Sequence, residues 1–137
     1  MLTLAAQEAD IVSINVRLES GRLGPERGAT ATASATRDKI AIVRQAAGAR
    51  WAELELQIEQ HYVEITDDRA PAIERASATL GLPPEEAAKS PHVLVGSVEG
   101  VCEQLQAMRA ELGISYICLS GDSAGELAPV VERLAGV

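Results

Sequence analysis

The sequence contains very few aromatic residues: no Phe, one Trp and two Tyr, together 2% of its 137 residues. A core built on large aromatic side chains is therefore excluded. Hydrophobic residues still make up 47% of the chain, so Ala, Val, Leu and Ile must form the core. This composition predicts helices packed against a sheet through small aliphatic side chains, within one domain of residues 1–137.

Cysteine and histidine are also scarce. Cys102 and Cys118 are too few for a disulfide framework and too far apart for a zinc knuckle, so each is predicted to be a small, buried apolar residue. His61 and His92 are the only histidines. Two such side chains do not make a closed metal site, and no metal is predicted.

No run of basic residues is present, and the net charge is -8. A chain of this charge is repelled by a phosphate backbone, which argues against nucleic-acid binding. No apolar run approaches the roughly 20 residues that span a bilayer. Residues 1–6 lack the basic start of a signal peptide, and Glu8 and Asp10 follow them closely. These features predict a cytoplasmic protein that binds neither nucleic acid nor membrane.

Three segments have the composition of strands. Residues 10–15 and 114–119 are compact, β-branched runs that suit buried strands. Residues 54–65 alternate between apolar and polar side chains, and the phase reverses near Gln60 and His61. Either one strand with a bulge or two strand segments explains this reversal.

Helices are predicted between the strands from apolar spacing, caps and glycine stops. Residues 16–35 are interpreted as a long loop and residues 93–96 as a brief apolar link. The predicted helices cover residues 2–9, a segment from the N-cap Thr36 to Gly48, a segment from Asp67 or Asp68 to Gly81, residues 83–86, a segment from Ser97 to Gly113, and residues 127–134.

The alternation of strands and helices predicts an α/β fold with about three parallel strands and flanking helices. Right-handed crossovers would place the helices on one side of the sheet.

Several segments resemble the second half of the luciferase-like oxidoreductases, a (β/α)₈-barrel family. Residues 9–15 (ADIVSIN) resemble the sixth barrel strand, and residues 42–48 (IVRQAAG) resemble the helix after it. Residues 65–69 resemble the end of the seventh strand. Residues 90–97 (SPHVLVGS) and 104–116 resemble the penultimate helix and its approach. The order and spacing of these segments carry the resemblance over essentially the whole chain.

The resemblance implies a partial TIM (β/α)₈ barrel and an origin among enzymes that use coenzyme F420 or FMN. A complete barrel has eight strands and about 250 residues, so only its C-terminal portion is represented. The glycine-rich segment that helps hold the coenzyme phosphate in the family would precede Met1. We therefore expect a truncated homologue that is not catalytically self-sufficient, with no coenzyme bound to the isolated chain.

Active sites of such barrels lie at the carboxyl ends of the strands. That rule selects Asn15 and Arg17 after the first strand, and Ser120 and Gly121 after the last, as candidate coenzyme-binding residues. Backbone N–H groups at Ser120 and Gly121 would suit a phosphate. The simpler interpretation is an ordinary turn with a capping residue.

Two further groups of residues have alternative interpretations. Arg17, Arg22 and Arg27 could clamp a phosphate, or they could solvate a surface loop. His61 lies beside Glu59 and Glu64, a pattern that could indicate a metal ligand or an acid–base pair, although a half-exposed strand histidine is the simpler interpretation. His92 is interpreted as structural.

Glu55, Gln57 and Glu59 would share one face of the second strand. In a closed barrel both faces of a parallel strand are buried, and three polar side chains there would be costly. We hypothesise that this face is polar because no closed barrel surrounds it. The free edges of such a sheet favour a homodimer or higher homo-oligomer, or a chain that supplies the missing barrel half. An active oxidoreductase completed in this way and a non-catalytic binding or scaffold module remain alternatives.

Overall fold

The computed structural model describes residues 1–17 and 27–136. In this part of the chain, short strands alternate with helices in an α/β arrangement. The helices are α1 (Leu2–Glu8), α2 (Arg27–Ala31), α3 (Ala33–Ala47), α4 (Arg69–Leu80), α5 (Pro84–Ala87), α6 (Val98–Leu112) and α7 (Ala128–Leu134). The strands are β1 (Ile11–Ser13), β2 (Glu55–Glu59), β3 (Tyr62–Ile65), β4 (Val93–Gly96) and β5 (Ile114–Cys118).

The five strands form two sheets, and every pairing in them is parallel. The larger sheet has the order β1-β2-β5, so β2 lies in the centre and β1 and β5 lie at the edges. The smaller sheet pairs β3 with β4. The prediction of parallel strands flanked by helices is confirmed.

A bend at residues 60 and 61 carries the chain from the larger sheet to the smaller one. The N–H of Gln60 donates to the carbonyl of Cys118 on β5, whereas the N–H of His61 donates to the carbonyl of His92. The N–H of Tyr62 points to that same His92 oxygen, at 3.3 Å. Two successive N–H groups on one acceptor mark an extra residue in the strand. The predicted reversal of phase is therefore a bulge between two strand segments.

The main core lies between one face of the larger sheet and the helices. Val12, Leu56 and Ile58 on the strands, and Ile14 just after β1, are at most 2% exposed. They belong to one cluster with apolar residues of α3, α6 and α7. A second cluster joins β4 to α4 through Val93, Val95, Ala72, Ala76 and Leu80. Each fully buried Val, Leu or Ile contributes about 1.5–3 kcal/mol, so aliphatic side chains replace the missing aromatic ones.

The start of α3 differs from the sequence prediction. Thr32, not Thr36, is the N-cap, and its Oγ accepts a hydrogen bond of 3.1 Å from the N–H of Ala35. Thr36 lies one turn inside the helix, where its hydroxyl donates to the Thr32 carbonyl. The predicted loop is also too long, because residues 27–31 form α2. Arg22 lies outside the described residues, and so does the side chain of Arg27.

The prediction of an apolar link at residues 93–96 is wrong, because these residues form the fully buried strand β4. Asp68 is the N-cap of α4 as predicted, but its side chain makes no capping bond. The Oγ of Thr66 accepts from the N–H of Asp68, which forms a turn just before the helix. The other helix signals are confirmed: Ser97 caps α6, and Gly81 and Gly113 end α4 and α6 in the left-handed conformation.

Candidate functional site

The carboxyl ends of β1, β2 and β5 meet at one edge of the larger sheet, because the three strands are parallel. Asn15 and Arg17 follow β1 at this edge, and Ser120 and Gly121 follow β5. The sequence prediction therefore selects residues of one edge. However, β2 separates the two pairs, so they are two strand spacings apart, or about 10 Å.

Backbone contacts fix the segment after β1. Lys39 Nζ, from α3, donates to the carbonyl of Asn15 at 2.8 Å and to that of Thr30 at 2.7 Å. The N–H of Arg17 donates to the Thr30 hydroxyl at 2.9 Å. Burial lowers the pKa of Lys39. Asn15 and Arg17 are both exposed residues.

The segment after β5 is a compact turn. Ser120 precedes the 3₁₀ turn Gly121–Ser123, and its carbonyl accepts from the N–H of Ser123 at 3.1 Å. Its hydroxyl lies 3.2 Å from the Ser123 hydroxyl. The next helix, α7, begins only at Ala128. This geometry matches the interpretation as an ordinary turn, since no long helix directs its N–H groups here.

A polar face of the sheet adjoins this edge. Glu55 is exposed, and Gln57 and Glu59 are half-buried. Neighbouring strands contribute hydroxyl partners: Ser13 Oγ donates to the side-chain Oε1 of Gln57, and Ser115 Oγ donates to the Glu55 carboxylate at 3.2 Å. None of these three residues is fully buried, in agreement with the hypothesis that this face is not a dry barrel interior.

The bend between the two sheets holds buried polar groups that the sequence analysis did not select. Gln60 continues the inward series of Leu56 and Ile58, and its amide nitrogen donates to the Pro91 carbonyl at 3.1 Å. His92 is fully buried, with Nδ1 2.8 Å from the Glu59 carbonyl and its ring 5.4 Å from the His61 ring. Within the described residues, Gln60 Oε1 and His92 Nε2 make no hydrogen bond. The alternation through Gln60 was the available sequence signal.

Burial lowers the pKa of His92 to about 4, and the hydrogen bond to Glu59 opposes this shift only in part. The side chain is therefore neutral near pH 7. Since Nδ1 faces a carbonyl, it carries the proton and donates. This arrangement supports the structural role predicted for His92, and His61 is half-buried at the bend, as expected for a strand histidine.

Three cavities lie elsewhere in the described part of the chain. One of about 570 Å³ is at the carboxyl ends of β3 and β4, beside Thr66, Ser97 and Glu103. A second, of about 360 Å³, is an apolar groove between α6 and α7. The third, of about 180 Å³, lies between α3 and α6. None of the three is lined by Asn15, Arg17, Ser120 or Gly121.

Comparison with models of known protein families gives no match, and neither do comparisons with curated proteins and with solved structures. Among residues 1–17 and 27–136, no three His, Cys, Asp or Glu side chains gather as a metal site requires. None of the helices in the same ranges combines the length and apolar character needed to cross a membrane. The assignment to the luciferase-like family stays a prediction.

Proposed function

We propose that the chain is a luciferase-like layer of an F420- or FMN-dependent oxidoreductase whose coenzyme site needs a second polypeptide surface. The observation that carries this proposal is the accessible polar face beside the carboxyl edge of the larger sheet. In a closed (β/α)₈ barrel this face would be interior, and Glu55 and Glu59 would have to be paired or neutral. Their contact with water fits a layer that is completed by association, with a second copy or with another chain.

In this proposal, the exposed side chains after β1 are the coenzyme contacts. The guanidinium of Arg17 is suited to the coenzyme phosphate, because an arginine forms charge-assisted hydrogen bonds with phosphate oxygens. Asn15 supplies a side-chain amide to the ring system of the coenzyme. The hydroxyl of Ser120 and the N–H of Gly121 extend the site towards β5.

Electrostatics oppose coenzyme binding by this layer alone. The net charge is -8, and Glu59, at the carboxyl end of β2, lies on the edge next to the proposed phosphate position. Like charges near a phosphate weaken its binding. The completing surface must therefore add positive or hydrogen-bonding groups, which is why we do not expect self-sufficient catalysis.

The test is a fluorescence titration of fixed FMN, and separately of fixed coenzyme F420, with increasing protein. If two copies form the site, the bound fraction rises more steeply than a single-site curve, and Arg17→Ala abolishes the binding. Arg37→Ala removes an exposed arginine of α3 and is the matched control, which should bind as the wild type does. A single-site curve at low micromolar protein would show a self-sufficient site and contradict the proposal.

The alternative proposal is a non-catalytic binding or scaffold module. It is favoured by the position of the three cavities, which lie away from the predicted coenzyme residues. It predicts no fluorescence change with either coenzyme at protein concentrations of about 100 μM, which corresponds to binding weaker than roughly 5.5 kcal/mol. That result would reject an oxidoreductase site formed by copies of this chain.

A further inference from the structure

The bend between the two sheets contains two buried side chains that each keep one unused hydrogen-bonding atom. Gln60 is 4% exposed and His92 is fully buried, so neither side chain completes its hydrogen bonds at the surface. Within the described residues, no donor reaches Gln60 Oε1 or His92 Nε2. A buried polar atom without a partner is costly, because it has lost its contact with bulk water and gained nothing in return. Two such atoms at one bend point to a small molecule that binds there.

Each of these side chains is oriented by the backbone beside the other. Gln60 Nε2 donates to the carbonyl of Pro91, the residue before His92, at 3.1 Å. His92 Nδ1 lies 2.8 Å from the carbonyl of Glu59, the residue before Gln60. These reciprocal contacts hold the two side chains next to each other, so Oε1 and Nε2 belong to the same small region of the core.

The same two contacts determine what the unused atoms need. The amide nitrogen of Gln60 must face the Pro91 carbonyl, so the amide cannot be reversed and Oε1 is an acceptor. Nδ1 of His92 also faces a carbonyl and carries the ring proton, so Nε2 of the neutral ring is an acceptor as well. The bound molecule must therefore donate two hydrogen bonds. A water molecule has two O–H donors and meets this requirement.

Charge and ligand number favour water over a metal ion, which could also bind two lone pairs. Burial is the main cause of the lowered pKa of His92, and the positive charge of Lys39 adds to it. Lys39 is therefore close enough to repel a second cation in this poorly solvated region. A metal ion would also lack ligands, since no three His, Cys, Asp or Glu side chains gather among residues 1–17 and 27–136.

We propose that the bend holds one internal water molecule, which donates one hydrogen bond to Gln60 Oε1 and the other to His92 Nε2. Such a site needs room for a single molecule, about 30 Å³, and is much smaller than the three cavities described above. Gln60 follows β2 of the larger sheet and His92 precedes β4 of the smaller one, so the water links the two sheets. The site uses none of the proposed coenzyme contacts, and either proposal can fail without the other.

A crystal structure of the intact chain at about 1.5 Å resolution tests this site. We expect one density peak at about 2.7–3.2 Å from both Gln60 Oε1 and His92 Nε2, the range of ordinary hydrogen bonds. A peak at about 2.0–2.1 Å from Nε2 would be a metal ion and would overturn the proposal. A bend without a peak, or with separate peaks that each contact only one of the two atoms, would also overturn it.

A substitution shows in solution whether both side chains hold the water. In the wild type, NMR should detect cross-relaxation between a long-lived water and the carbon-bound ring protons of His92. Gln60→Met keeps a side chain of similar length but removes the acceptor. The water then has one partner, whereas a buried water needs at least two, so the signal should disappear.

Ser90→Ala is the matched control for this substitution. Ser90 is also buried near the bend, but its hydroxyl donates to the Ala31 carbonyl at 2.6 Å and takes no part in the proposed site. The water signal at His92 should therefore persist in this variant. Circular dichroism checks that both variants are folded. Absence of the signal from the wild type, or its persistence in folded Gln60→Met, would contradict the proposal.

Discussion

His92 shows how one residue can make the stability of this chain depend on pH. Its folded-state pKa is about 4, below the ordinary 6.5, because burial disfavours the charged ring. Between these values the unfolded chain binds a proton that the folded chain does not. The free energy of unfolding should therefore fall as the pH is lowered through this range, by about 2 kcal/mol from pH 7 to pH 5.

Urea unfolding of the wild type and of His92→Asn at both pH values measures this effect. Asparagine does not titrate, and its amide can still donate to the Glu59 carbonyl. The variant should be less stable at pH 7, yet it should lose about 2 kcal/mol less than the wild type on acidification. Equal pH dependence in the two proteins would show that other groups cause the acid sensitivity.

The contact between α2 and the end of α4 depends on Gly28, which has no side chain. A Cβ at Gly28 would lie 2.7 Å from the carbonyl oxygens of both Leu80 and Gly81. Since these are backbone atoms, a side chain at this position must push the two helices apart. Gly28→Ala should lower the free energy of unfolding by about 1–3 kcal/mol in thermal or chemical denaturation.

Gly121→Ala is the control for this substitution. A Cβ at Gly121 meets no atom within 4 Å, and this residue does not have a positive φ. Its free energy of unfolding should stay within about 0.5 kcal/mol of the wild-type value. An equally small effect at Gly28 would contradict the close approach of α2 and α4.

The elements also show what the sequence could and could not predict. Glycine stops and strong apolar spacing located α4 and α6 well, because these signals are local. β4 was missed because four apolar residues buried on both faces show no alternation. The start of α3 was misplaced because residues 29–36 are all Ala, Thr or Ser, which give no apolar period. The carboxyl-edge rule located Asn15 and Ser120 at one edge of the larger sheet, but whether a cavity forms there depends on tertiary packing, which the sequence pattern does not reveal.

For the whole molecule, the acidic face of the larger sheet should oppose uncontrolled association. Glu55 is exposed and Glu59 is half-buried on this face, and acidic side chains on an open sheet discourage its association with other chains. The double variant Glu55→Val and Glu59→Val should fold and then aggregate at lower concentration than the wild type, because it exposes an apolar sheet surface. Static light scattering against concentration measures this change.

The matched control is Glu74→Val with Glu85→Val, which removes the same charge from exposed positions of α4 and α5. If both double variants aggregate alike, net charge alone explains the effect. Aggregation of only the strand variant assigns it to the open face.

The bulge at His61 and Tyr62 has a consequence for residue counting along this strand. Before it, inward side chains have even numbers, as at Leu56 and Ile58; after it, Val63 and Ile65 pack against the same core. The interval from Ile58 to Val63 is odd, whereas an unbroken strand requires an even one. A homologue that aligns here without a gap therefore inherits the same assignment of faces. A homologue that lacks one residue in this interval has an even spacing, so it keeps the same faces only if its strand runs on without the bulge.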